Sequence, residues 1–170
     1  MTEPAATAPP RPIRWYWEDF PVGNVREFGA HAVTRDAVLA FASQFDPQPF
    51  HLDDEAAKGT LFGGLAASGW HTAAVTMRLL VETGLPLAGG ILGVGGEISW
   101  PKPTRPGDVL HVVSEIEEVT PSRSRPDRGM VRVRNETRNQ RDEVVQVLIA
   151  KLVVPRRTPA VSEAFAVRST

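Results

Sequence analysis

The chain has 170 residues and a mass of 18.5 kDa, the size of one domain large enough to bury a core without disulfides or metal. Hydrophobic residues make up 42% and charged residues 23%, which excludes a disordered, collagen-like or coiled-coil chain. Nineteen Lys and Arg against 20 Asp and Glu give a net charge of -1, against a dedicated nucleic-acid binder, and the absence of cysteine excludes disulfides, thiolate metal sites and a Cys nucleophile.

The N-terminus lacks a basic stretch followed by an apolar core, so it is not a secretory signal, and no segment approaches the ~18 apolar residues of a membrane span. A cytoplasmic protein without a membrane partner is the expectation. Residues 1–12 hold four prolines among alanines and threonines and read as a mobile tail. The domain is placed at 13–155. Residues 156–170, with Arg156, Arg157 and Pro159, lose the strand pattern and read as a second tail.

Within the domain, Val25–Val33 reads as a strand. Thr34 is positioned to cap a helix carrying Val38, Phe41, Ala42 and Phe45 on one face, which ends near Asp46 because Pro47 cannot continue it. Pro49 is expected to keep the next residues irregular. Asp53 then caps a short helix with Asp54 and Glu55 at its positive end, and Gly59 breaks it. From Ser68 to Gly84 the chain reads as a helix capped by Ser68, with Trp70, Ala73, Ala74, Met77, Leu80 and Val81 at helical spacing and Val75 and Leu79 on other faces, so that it is apolar nearly all round and therefore buried, and Gly84 followed by Pro86 is the stop. The second half turns to strand periodicity: Ile91–Trp100, then Val109–Val119 after the Arg105–Asp108 turn. A hairpin follows, whose arms contain Val131, Val133 and Val144–Val154 around a turn at Asn139–Asp142. One buried helix and about five mostly antiparallel strands make an α+β domain with the sheet wrapped over the helix.

The segment Asp46-Pro-Gln-Pro-Phe-His51 is the first candidate site. A carboxylate and an imidazole five residues apart converge only across irregular backbone, and two prolines supply it. Their joint use is general acid–base chemistry on a water, and the helix C-terminus at Asp46 is expected to raise its pKa. The bland alternative is a helix end, a turn and a packed histidine. Gly69 is the second candidate: at a helix N-terminus its N–H is an unpaired donor with no side chain in the way, the geometry of an oxyanion hole, although small residues here also permit close packing.

Phe41-Ala-x-x-Phe-Asp46-Pro-Gln-Pro-Phe-His51-x-Asp53, followed by Phe62-Gly-Gly-Leu-Ala-Ala-Ser68-Gly69, resembles the MaoC-like dehydratases, or R-specific enoyl-CoA hydratases, across roughly residues 15–155. The resemblance includes Trp100-Pro-x-Pro-x-Arg105-Pro-Gly-Asp108 and Ser122-Arg-Ser-Arg-Pro-Asp127. It implies a hot-dog fold and an enzyme of fatty acid metabolism that reversibly adds water to a trans-2-enoyl-CoA to give the (3R)-3-hydroxyacyl-CoA. Asp46 and His51 would be the catalytic pair and the Gly69 N–H the donor to the thioester oxygen. Two positions depart from the family motif: Gln48 stands for its Asn and Ser68 for the His before the glycine. Gln48 is expected to orient the loop or the water, and Ser68 to cap the helix.

The resemblance implies an acyl-CoA substrate, no metal or redox cofactor, and a homodimer or higher homo-oligomer. Arg123 and Arg125, with Arg128, are candidates for the CoA phosphates or are solvated loop charges. Trp15 and Trp17 read as core or dimer contacts. The rival readings are a hot-dog acyl-CoA thioesterase and a non-catalytic acyl-CoA-binding subunit.

Overall fold

A computed structural model describes residues 14–157. The tail expected over 1–12 and nearly all of that over 156–170 lie outside the described residues. Five strands form one antiparallel sheet: β1 (Val25–Ala32), β2 (Gly93–Ser99), β3 (Val109–Pro121), β4 (Arg128–Arg138) and β5 (Val144–Pro155), in the spatial order β1-β3-β4-β5-β2. The alternation read from Val131 and Val133 extends along all of β4, where Gly129, Val131, Val133, Asn135 and Thr137 are buried and their neighbours half-buried. The β4–β5 turn is built by Asn139, whose Oδ1 accepts from the N–H groups of Arg141 and Glu143 at 3.0 and 3.1 Å, while Asp142 takes a φ of 60°.

The helices are α1 (Arg35–Phe45), α2 (Pro49–Leu52), α3 (Asp54–Lys58) and α4 (Gly69–Glu82). Thr34, Asp53 and Ser68 cap α1, α3 and α4 through side-chain oxygens that accept from Ala37, Ala56 and Trp70 N–H groups, as their residue types dictate. Helix α4 lies against β1, β3 and β5, and Val38, Val75, Leu79, Leu110, Val112 and Val145 close the core between them. A second cluster of Phe20, Ile116, Val131, Leu152 and Val154 fills the other end of the sheet, with Trp15 and Trp17 packed on it.

Three expectations are corrected. Pro49 does not keep its segment irregular: it occupies the first position of α2, where its missing N–H has no helical partner to lose. Helix α4 is not buried nearly all round, since Trp70, Ala74, Met77 and Val81 are exposed, whereas His71, Thr72, Val75, Thr76 and Leu79 are buried. The buried threonines are tolerated because each is bonded, Thr72 to Thr104 at 2.9 Å and Thr76 to Thr137 at 2.6 Å. Arg156 and Arg157 are not tail. They fold onto the short 3-10 turn Trp17–Asp19, pairing with Glu18 at 3.0 Å and Asp19 at 2.7 Å and lying over the rings of Trp17 and Tyr16.

Candidate active site

Asp46 terminates α1, its N–H still bonded to Ala42 O while its φ of -152° and ψ of 67° turn the chain out of the helix. The single turn of α2 then brings His51 back, so the pair separated by two prolines does converge. His51 Nε2 lies 3.4 Å from Asp46 Oδ2, and the imidazole is buried between Phe50 and Phe62. The tautomer follows from the other nitrogen. Nδ1 is 2.8 Å from the carbonyl oxygen of Ala66, which can only accept, so Nδ1 carries a hydrogen and Nε2 is the nitrogen turned toward Asp46.

The carboxylate of Asp46 is held from both sides. Ser68 Oγ donates to Oδ2 at 2.7 Å and Gln48 Nε2 donates to Oδ1 at 2.7 Å. Burial pushes its pKa up, but these two bonds, with the nearby His51, outweigh it and hold the carboxyl below the usual Asp value. The raised pKa expected from the helix C-terminus is therefore corrected: two charge-stabilising donors decide the sign, and Asp46 is ionised at neutral pH. Nε2 and the carboxylate face one another at 3.4 Å, and when the imidazole is neutral both are acceptors, an arrangement that a donor such as water can bridge.

Gly69 is the first residue of α4, and its N–H has no backbone acceptor among the described residues. It lines, with His51, Phe62, Thr72, Trp100 and Thr104, a cavity of about 480 Å³. A Cβ built on Gly69 would stand 2.7 Å from the Trp100 ring, so glycine is required for the indole to approach. Arg105 reinforces the segment that carries Phe62 and Ala66: its Nη1 donates to the Gly64 and Leu65 carbonyls at 2.6 and 3.0 Å, and its Nη2 to the Phe62 carbonyl.

Asp46, Gln48, His51, Ser68 and Gly69 are thus brought together. Arg123 and Arg125 are not. They sit in the exposed turn between β3 and β4, where Arg125 N–H bonds Ser122 Oγ and Arg128 pairs with Asp127. Neither arginine lines the cavity that holds His51 and Gly69.

The MaoC like domain model matches residues 19–140. The chain belongs to the MaoC-like family. It is 60% identical to a MaoC-like dehydratase of known structure from Rhodospirillum rubrum, with a TM-score of 0.83 over 85% of this chain and 99% of that one. R-hydratase PhaJ1 from Pseudomonas aeruginosa superposes with a TM-score of 0.67 at 25% identity, over 83% of this chain and 86% of that one. In sequence, the chain is 32% identical to protein YdeM of Bacillus subtilis over 74% of this chain and 88% of that protein. It is also 32% identical to a 3-hydroxybutyryl-CoA dehydratase of Methylorubrum extorquens, over 65% of this chain and 69% of that protein. The sheet wrapped on α4 is the hot-dog fold, and MaoC-like membership supports a hydratase-type function. In this MaoC-like chain, three parts of the site escape a reading by local pattern. The Ser68–Asp46 bond spans 22 residues, and the roles of Trp100 and Arg105 depend on contacts across loops. The only sequence signal for the last two is the Trp100-to-Asp108 motif that contains them.

Proposed function

We propose that the chain hydrates a trans-2-enoyl-CoA to the (3R)-3-hydroxyacyl-CoA, and catalyses the reverse dehydration. The observation that carries this reading is the pair of facing acceptors, Asp46 Oδ2 and His51 Nε2, beside a cavity lined by the free N–H of Gly69. A water donating to both groups directs its oxygen lone pairs into the cavity. Its oxygen bonds to C3 as the Asp46–His51 pair takes a proton, the C2–C3 π electrons move onto the thioester oxygen, and the Gly69 N–H stabilises the charge formed there. Return of a proton from the pair to C2 completes the addition, with no net change in the protein. Ser68 and Gln48 hold the carboxylate in place and ionised.

The substrate's CoA portion is assigned from the family and from the dehydratase relative. We assign the working unit as a homodimer, because an isolated chain leaves the outer face of α4 and the free edge of β2 uncovered. The test is a panel of enoyl-CoA and saturated acyl-CoA thioesters assayed with the native protein and Asp46→Asn. Hydration of the enoyl thioesters that collapses in Asp46→Asn supports the assignment. Release of free CoA from the saturated thioesters in its place identifies a thioesterase.

A further inference from the structure

Two cavities flank the N-terminal end of α4, and they share no lining residue. One is the catalytic cavity with His51, Gly69 and Trp100. The other, about 410 Å³, opens beside the exposed side of α4, over the sheet, and is walled by Phe28, Trp70, Met77, Leu80, Ile98 and Leu148. Gly69 lines the first and the next residue, Trp70, the second. Between them the indoles of Trp100 and Trp70 meet edge to face, with ring centroids 5.5 Å apart and planes at 76°.

Trp100 is fixed in that position from behind. Its Nε1–H donates to Gln146 Oε1 at 2.9 Å, and the amide of Gln146 donates to Thr76 Oγ1 at 2.9 Å, which in turn meets Thr137 Oγ1 at 2.6 Å. Gln146, Thr76 and Thr137 are fully buried, so the orientation of the indole is set by a satisfied hydrogen-bond chain anchored on α4, β4 and β5. No step of the hydration uses this chain. A fully buried glutamine on a strand whose other buried residues are apolar has its explanation in the ring it holds.

We propose that Trp100, fixed by Gln146 and braced edge-on by Trp70, is the wall that ends the acyl site and restricts this chain to short-chain thioesters. The inference rests on the enoyl-thioester reading above. A thioester whose oxygen accepts from Gly69 N–H lies beside the Trp100 ring, because Gly69 and Trp100 line the same cavity and the ring stands 2.7 Å from where a Cβ on Gly69 would be. A short acyl chain ends at the indole. A longer one meets the wall, although an apolar cavity large enough to take it lies immediately behind.

The experiment compares kcat/KM for trans-2-butenoyl-CoA and trans-2-octenoyl-CoA in the full-length protein and in Trp70→Ala, Trp70→Leu and Gln146→Leu, with circular dichroism on each. The native protein is expected to prefer the four-carbon substrate by at least ~10²-fold, the selectivity that a few unaccommodated methylenes impose. Trp70→Ala and Trp70→Leu should raise the eight-to-four-carbon ratio by at least ~10-fold. Gln146→Leu, a change in a positioning residue, should move the ratio in the same direction by a smaller factor, a shift that a general loss of stability does not produce. Leu keeps apolar bulk at position 70 and serves if the alanine variant does not fold. A native protein that processes both substrates alike overturns the proposal, as does an unchanged ratio in a natively folded Trp70 variant. Dissociation constants for butanoyl-CoA and octanoyl-CoA, which cannot be hydrated, separate the two readings. Binding selectivity that Trp70→Ala erases, in a protein without turnover, keeps the wall and removes hydration; equal binding by the native protein removes the wall whatever the turnover. Failure to bind either thioester overturns both.

Discussion

Asp46 and His51 each supply one of the two acceptors proposed to hold the water. Asp46→Asn and His51→Ala are expected to lower hydration of butenoyl-CoA by at least ~10²-fold each with native circular dichroism. The double variant should be little slower than the worse single one, because half of a pair acting on one water retains mainly binding and oxyanion stabilisation. Ser68 has a larger part than its capping role. Read from sequence it is a helix cap whose loss costs about 1 kcal/mol of stability. In the structure the same hydroxyl donates to Asp46 Oδ2, so Ser68→Ala also removes a bond that keeps the carboxyl pKa low. The acid limb of the pH–kcat/KM profile should then move to higher pH in Ser68→Ala, since the base form of Asp46 is lost sooner as pH falls. An unmoved limb, with stability reduced, would return Ser68 to the cap alone.

At the scale of elements, the ends of helices were legible and their faces were less so. Thr34, Asp53 and Ser68 act within three residues of themselves, so a local pattern finds them. The buried face of α4 depends on partners 32 to 70 residues away, Thr104, Thr137 and Gln146, which satisfy its threonines. Hydrophobic spacing alone makes the helix apolar nearly all round, and so it does not separate the buried face of Thr72 and Thr76 from the exposed one of Trp70, Met77 and Val81. His71 lies on the buried face too, stacked on Phe41 with centroids 4.8 Å apart, and its Nδ1 is buried without a hydrogen-bond partner among the described residues. Burial, with the charge of His31 nearby, lowers its pKa below the ordinary histidine value of 6.5. The native state therefore binds fewer protons than the unfolded chain in the window just below 6.5. The contribution of His71 is fully present above that value and is lost as pH falls through its depressed pKa, with a limiting slope of about 1.4 kcal/mol per pH unit. His71→Phe keeps the stacking and removes the titration. Its midpoint of thermal unfolding should fall less than that of the native protein between pH 7 and pH 5, and parallel curves would show that His71 does not carry the effect.

At the scale of the molecule, the layout of one long helix and five antiparallel strands was legible because the period of the chain changes from helical to alternating after Gly84 and its turns are marked by Pro, Gly and Asn. The order β1-β3-β4-β5-β2 was not, since it depends on which edges meet across the sheet. That order leaves β2 at one edge, with Val94 58% exposed, and the outer stripe of α4 adds Met77 at 44% and Val81 at 67%. An apolar helix face and an unpaired strand edge on one small chain fit the homodimer proposed above, in which a two-fold copy of the same surface would cover both. Light scattering on the full-length protein should return twice the chain mass of 18.5 kDa at micromolar concentration. Val81→Glu and Val94→Glu place charges on positions that the single chain leaves to solvent, so each should preserve circular dichroism. If the copies meet there, either substitution buries an unpaired carboxylate and weakens association by at least ~10²-fold, shifting the mass toward 18.5 kDa. A native protein that is monomeric, or variants that remain dimeric, would place the contact elsewhere or remove it.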